Sequence, residues 1–189
     1  PWNAEGTTLL TSNVWHHIAA VRNSNNIYLY LDGVLQGSVA YSGTHQTFAK
    51  VQIGSLKYSG SIIQDWTGYI ADVRIVKGTA VYTSAFTPPT TPLTAIANTS
   101  LLTCQSTTMI DNSTNRFTIT ANGNVTPRIF NPFGYTAQSA TSYTPSLHGG
   151  SIYLDGTLDN LYSSTISKYG STNHTIECWV FFNNVSSRQ

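Results

Sequence analysis

Ile27-Tyr28-Leu29-Tyr30-Leu31-Asp32-Gly33-Val34-Leu35 is the stretch on which the fold turns. Ile27, Leu29 and Leu31 alternate with Tyr28 and Tyr30, the period of a strand with two unlike faces. Asp32-Gly33 then supplies the tight hairpin signal, because glycine tolerates the positive φ that a two-residue turn demands. Val34–Ala40 reads as the returning strand. Upstream, Val14–Arg22 is a further alternating run, closed by the turn formers Asn25 and Asn26. Downstream, Val51–Gly54 and Gly68–Lys77 continue the pattern.

No helical period is sustained anywhere in the 189 residues. Thr87–Ala95 carries Pro88, Pro89 and Pro92; proline cannot donate to a ladder, so this reads as an extended surface crossing. Leu101–Cys104, Phe117–Ala121 and Asn124–Pro127 are short strands, the last two joined at Asn122-Gly123. Asn131–Pro145 is a loop, and Gly150–Leu154, Leu161–Ser163 and His174–Phe182 are the closing strands. Short strands punctuated by Gly, Asn, Asp, Ser and Pro define an all-β, antiparallel sandwich.

Charged residues make up 9% of the chain, against about a quarter in ordinary soluble proteins. Ser, Thr and Asn together supply about a third of it. A surface wetted by hydroxyls and amides suits an extracellular, cell-surface or virion location, which is the expectation here. Disorder is excluded by 40% hydrophobic residues in patterned runs. The nine basic residues are scattered and the net charge is +1; nucleic acid and anionic membrane are therefore not expected partners. No apolar run is long enough to insert in a membrane as a helix. No signal peptide is visible, and the opening Pro1-Trp2-Asn3 reads as the interior of a longer protein. Cys104 and Cys178 lie in separate strands without metal-ligand spacing and are expected as free, buried thiols over a disulfide.

Asn13-Val14-Trp15-His16-His17-Ile18-Ala19, the hairpin ending Leu29-Tyr30-Leu31-Asp32-Gly33, and Gly68-Tyr69-Ile70-Ala71-Asp72-Val73-Arg74-Ile75 together resemble the second half of a laminin-G-like domain. That family has the concanavalin A-like lectin/glucanase jelly roll. Gly150-Ser151-Ile152-Tyr153-Leu154-Asp155-Gly156, Asp159-Asn160-Leu161 and Thr175-Ile176-Glu177-Cys178-Trp179-Val180 resemble its first half. The order is inverted, and the central strands that normally lie between the halves are largely missing. The chain is accordingly divided into 1–97 (C-terminal half of a sandwich), 98–145 (short strands and connection) and 146–189 (N-terminal half). Three arrangements are open: a window on a tandem array, halves completed by neighbouring copies, or a permuted domain closed on itself. The first two are favoured, with copies of the chain or neighbouring repeats as partners.

The resemblance brings hydrolases into view, and the residues argue against them. Glycoside hydrolysis needs two carboxylates flanking the bond. The eight acids of the chain form no Glu-x-Asp-x-x-Glu strand motif, so no catalytic residue is assigned. Adjacent His16 and His17 point to opposite strand faces and cannot share a metal at ordinary geometry. No nucleophile-elbow motif accompanies the many serines. By the resemblance, Ca²⁺ is the one cofactor to expect, at Asp72, Asp155 and Asp159, since this ion prefers hard oxygen ligands. Carbohydrate recognition is the family's commonest binding role; Trp2, Tyr58, Trp66, Tyr69 and Asp65 are its candidates because they lie in or beside loops. Trp15 and Trp179, in strong strands, are read as core. The expected function is a non-enzymatic structural or adhesion module of a virion fibre or surface filament, with glycan as a ligand. The alternative is a carbohydrate-binding domain of a larger secreted polysaccharide-active enzyme.

Overall fold

The computed structural model describes residues 6–44, 50–58, 61–134, 143–164 and 170–183, with only the backbone of 57, 58 and 61–63. Its strands are β1 (Trp15–Asn23), β2 (Asn26–Leu31), β3 (Val34–Ala40), β4 (Gln52–Ile53), β5 (Ser55–Tyr58), β6 (Ser61–Asp65) and β7 (Thr67–Lys77). They continue as β8 (Thr99–Thr103), β9 (Ile119–Asn122), β10 (Thr126–Arg128), β11 (Ser151–Asp155), β12 (Asn160–Ser163) and β13 (His174–Phe182). One helical turn, α1 (Pro145–His148), precedes β11. The eight-stranded antiparallel sheet runs β10-β11-β7-β13-β1-β2-β3, with β8 also paired to β7. A three-stranded sheet, β4-β12-β9, is its second layer, and β5-β6 is a separate hairpin.

The inverted halves meet in the large sheet. β13 lies between β1 and β7, with Trp15 opposite Phe181 on one side and Tyr69 opposite Phe181 on the other. Segments 1–97 and 146–189 therefore contribute neighbouring strands to one sheet, with β13 at its centre.

The core follows from alternation. Ile70, Val73, Cys104, Val125, Ile152, Leu154 and Leu161 form its buried centre, packed by Ile53, Ile119 and Trp66. Ile75 and Leu101 extend it against Val51, Ile53, Phe117 and Ile119. The three-stranded sheet thus covers the inner face at β7, β8 and β11. Asp72 interrupts the alternation of β7 with a left-handed φ of 49°. The register with β13 shifts at this point, between Glu177 and Trp179. Here the pairing edge of β7 changes hands, from β11 at residues 67–70 to β8 at 73–76, and the Asp72 amide donates to the Cys104 carbonyl at 3.0 Å.

Gly33, φ 78°, turns the β2–β3 hairpin beneath the crossing segment, where a Cβ would stand 1.8 Å from the Phe86 carbonyl oxygen. Its own carbonyl accepts from the Phe86 amide at 3.0 Å. Asp32 secures the base of this turn, accepting from the His17 amide at 2.8 Å and meeting His16 Nδ1 at 2.7 Å. Cys104 and Cys178 are free thiols. Burial pushes the Cys178 thiol up to about 12 and raises Cys104 as well, so neither supplies thiolate near neutral pH.

Candidate functional site

The outer face of the large sheet, away from the three-stranded layer, carries Thr175, Glu177, Trp179 and Phe181 from β13 and Trp15, His17, Ala19 and Val21 from β1. The strand register places them side by side. One end of this face lies under the crossing that follows β7. There the Val81 amide donates to Thr175 Oγ1 at 2.9 Å, and the Tyr82 hydroxyl to Glu177 Oε2 at 2.7 Å. Tyr82 stacks on Phe86 with centroids 3.6 Å apart, and Tyr30, Ala19 and Val21 pack below them.

Glu177 is the centre of this clasp, 1% exposed. Arg74 holds Oε1 through Nε at 2.8 Å and a second guanidinium nitrogen at 2.7 Å, and His17 Nε2 is 3.2 Å from Oε2. Burial would raise the Glu177 carboxyl, but His17, Arg74 and Tyr82 outweigh it and hold it below the ordinary glutamate value. Arg74 also donates to the Thr94 carbonyl at 2.9 Å, tying the far part of the crossing to the sheet. The paired charges are buried and mutually satisfied, which is the condition for keeping them in an interior.

At the other end of the face the crossing is absent. Tyr153, Tyr69, Phe181 and Trp15 form one row across β11, β7, β13 and β1. Three strand spacings of about 4.8 Å make the row roughly 14 Å long. Tyr69 is 5.0 Å from Tyr153 and 5.7 Å from Phe181, and Phe181 is 5.5 Å from Trp15. Phe130 leans over the middle, 4.9 Å from both Tyr69 and Phe181 and 5.2 Å from Trp15. Phe130 is itself 38% exposed, and the four row residues are half-buried. Polar groups border the rings by register: Thr126 lies opposite Tyr153, Arg128 opposite Ser151, and Thr67 opposite Asp155. Asp155 is exposed. Its desolvation is outweighed by hydrogen bonds from Thr157 and Asn124, which hold its carboxyl below the ordinary aspartate value. Half-exposed rings edged by fixed donors and acceptors can stack on an apolar ligand face and bond its hydroxyls.

The candidates read from sequence fare unequally. Tyr69 stands in the row. Trp66 does not serve as a platform: it packs on Phe182, centroids 4.4 Å apart, as part of the sandwich core. Asp65 precedes it in the β6–β7 corner, with Oδ1 buried and unpartnered among the described residues. Trp2 and the side chain of Tyr58 lie outside the described residues. Trp15, assigned to the core, is instead half-buried in the aromatic row, and sequence reasoning missed Phe130, Tyr153 and Phe181. The available signal was position along the strand: Trp15 opens β1, and Tyr69, Tyr153 and Phe181 sit one or two residues from a strand end.

Two of the three acids proposed for Ca²⁺, Asp159 and Asp72, do not fit it; Asp155 is exposed. Asp159 is fully buried, so neither oxygen faces solvent, and both accept backbone amides, those of Asn124 and Asp155. Asp72, also 0% exposed, accepts from the Leu93 amide at 3.1 Å and from the Gln105 side chain. Burial pushes its carboxyl up to about 7. Among the described residues no group of three or more His, Cys, Asp or Glu side chains converges. A recess of about 360 Å³ beside Leu93, Gln105, Ser106, Thr108 and Asn112 is lined by neutral groups that largely bond one another, Asn112 to Gln105 and Ser106 to Thr108.

The packed antiparallel sheets place the chain in the β-sandwich, jelly-roll class. Residues 2–80 match the family model of the concanavalin A-like lectin/glucanases superfamily, the stretch that holds the Trp-His-His strand and the Asp-Gly hairpin. Domains of this kind are compatible with carbohydrate binding or adhesion and are typically non-catalytic. Neither the comparison with curated proteins nor that with solved structures returned a match.

Proposed function

We propose that the chain is a non-enzymatic adhesion module, displayed on a virion fibre or cell surface, that binds glycan through the Trp15–Phe181–Tyr69–Tyr153 row and Phe130. The observation that carries this reading is the unequal finish of one sheet face: buried charge where the crossing covers it, half-exposed rings where it does not. Contiguous exposed apolar surface rimmed by polar groups is characteristic of interaction sites. Rings with hydroxyl, carboxylate and guanidinium neighbours suit a ligand with apolar faces and polar edges, which is the chemistry of a sugar. The lack of a Glu-x-Asp-x-x-Glu strand motif in the sequence supports binding without cleavage.

Affinity electrophoresis through gels of soluble polysaccharides tests it. Retardation in at least one polysaccharide is expected. Tyr153→Ala should weaken it at least tenfold, about 1.4 kcal/mol of binding free energy, without loss of fold. Migration unaffected by every polysaccharide, or retardation unchanged in Tyr153→Ala, would falsify the assignment.

A further inference from the structure

The two edges of the large sheet are finished differently, and from that difference we infer a homotypic interface: strand β3 pairs antiparallel with β3 of a second copy, about a two-fold axis at Ser38. At one end of the sheet order stands β10, three residues long, Thr126-Pro127-Arg128. Proline removes a donor and arginine adds charge, both devices that keep an edge from pairing. At the other end stands β3, seven residues, Val34-Leu35-Gln36-Gly37-Ser38-Val39-Ala40. It has no charge and no proline.

Among the described residues, the backbone of β3 bonds β2 and only one group besides: the Gln36 side-chain Nε2 donates to the Val34 carbonyl at 3.3 Å. The neighbouring Thr8 amide reaches the Gln36 side chain at 3.2 Å and leaves the strand backbone alone. Among the described residues the edge therefore presents a row of unmatched amides and carbonyls that another strand can satisfy. Val34 and Leu35, 59% and 46% exposed, stand at its start.

A second copy is the occupant its side chains fit. Gly37 and Val39 lie opposite Leu29 and Ile27 and so share the inner face, while Ser38, opposite Tyr28, takes the outer. A register shift between Leu29 and Tyr30 puts Val34 and Leu35 out of step with them. The pairing that keeps inner residues facing inner residues along 36–40 is centred on Ser38. It sets Val39 over Gly37 of the other copy, where there is no side chain to meet, and Ser38 beside its own counterpart, where two hydroxyls bond across the axis. Gln36 falls opposite Ala40. No like charges oppose, and an isologous contact of this kind closes on itself as a dimer.

Light scattering over a range of protein concentrations reads the mass directly. The mass should rise towards twice that of the chain. Ser38→Lys, which places two ammonium groups against each other on the axis, should hold the monomer mass, and Leu147→Lys, on α1 and 69% exposed, should dimerise as before. As a check that needs no loss of assembly, Ser38→Cys should form a covalent dimer with oxidised glutathione. Opposed Cα atoms in an antiparallel pair are about 4.5–5.5 Å apart, within disulfide reach. Thr157→Cys, exposed on a different turn, should not. A monomer at every concentration, a dimer that survives Ser38→Lys, or equal cross-linking of the two cysteine variants each overturns the inference. Mass and polysaccharide retardation are separate readouts, so this interface and glycan binding stand or fall independently.

Discussion

On β13 the outward residues run Thr175, Glu177, Trp179, Phe181, and the environment changes halfway along. Thr175 and Glu177 are buried under the crossing and hydrogen-bonded to it, whereas Trp179 and Phe181 are half-exposed among other rings. The same strand, in the same sheet, thus spends one end on holding a connection in place and leaves the other to face outward. A buried carboxylate shared by Arg74, His17 and Tyr82 has no access to a ligand. A ring row with, among the described residues, only Phe130 leaning over it has access and few bonds to lose. The first end should therefore respond to mutation in stability and the second in binding.

The sharpest way to break this contrast is at Glu177. Glu177→Ala strands the Arg74 guanidinium, 6% exposed, without its counter-charge, and such losses cost about 3–5 kcal/mol. Chemical denaturation should show an unfolding free energy lowered by that amount, with polysaccharide retardation unchanged wherever the variant stays folded. Because the folded-state carboxyl is held below the ordinary value of 4.5, its contribution is complete above that pH and is lost as the pH falls below it. Wild-type stability should fall on acidification there, and Glu177→Ala should lack that part of the fall.

Asp72 should behave with the opposite sign. Its folded-state carboxyl is raised from 3.8 to about 7, by burial first, against the lowering influence of Gln105, the Leu93 amide and Arg74. The folded protein binds this proton more tightly than the unfolded chain. The contribution is therefore complete below the unfolded value and is lost as the pH rises through about 7, on the order of a few kcal/mol. Gln105, Leu93, Arg74, Glu177 and Cys104 are the groups that face it. Asp72→Asn, compared with wild type from pH 5 to 8, should flatten the stability profile; identical slopes would show that Asp72 does not titrate on folding.

How far this was legible in the chain can be judged from the same residues. The hairpin at Asp32-Gly33 and β3, β7 and β13 stand within one residue of their sequence-derived limits, because alternation and turn chemistry are local signals. The β5–β6 hairpin and α1 went unread, since Ser55–Tyr58 and Pro145–His148 carry no period. The Asp72 bulge gives no local signal either: a left-handed aspartate in a strand looks like any strand residue. Glu177 was visible only as a polar position, because its partner Arg74 lies 103 residues away. Alternation told which residues share a face but not which face would be covered. Trp15 was therefore placed in the core and Trp66 outside it, the reverse of what the crossing and the three-stranded layer impose.

Smaller effects refine the comparison. Tyr82→Phe removes one hydrogen bond to the Glu177 carboxylate and keeps the stack on Phe86, so it should cost about 1.5 kcal/mol. Urea midpoints should place it well short of Glu177→Ala. A loss equal to that of Glu177→Ala would mean that the hydroxyl, and not the guanidinium, carries the clasp.

The smallest change in stability belongs to Phe130, and it is the one that most directly separates the two ends. Phe130→Ala removes a ring already 38% exposed. Its edge contacts with Tyr69, Phe181 and Trp15 are worth on the order of 1 kcal/mol together with the little area they bury. If Phe130 forms the upper wall of the glycan site, polysaccharide retardation should fall several-fold while the urea midpoint moves only slightly. If it merely shields the row, its removal should expose Tyr69 and Phe181 and strengthen retardation. Either shift ties the aromatic end to ligand, since the clasp end contains no group that could move binding without first moving stability. An unchanged retardation beside a lowered midpoint would instead make this end a second, weaker fastening of the 129–133 segment, and the difference between the two ends of β13 would be one of degree.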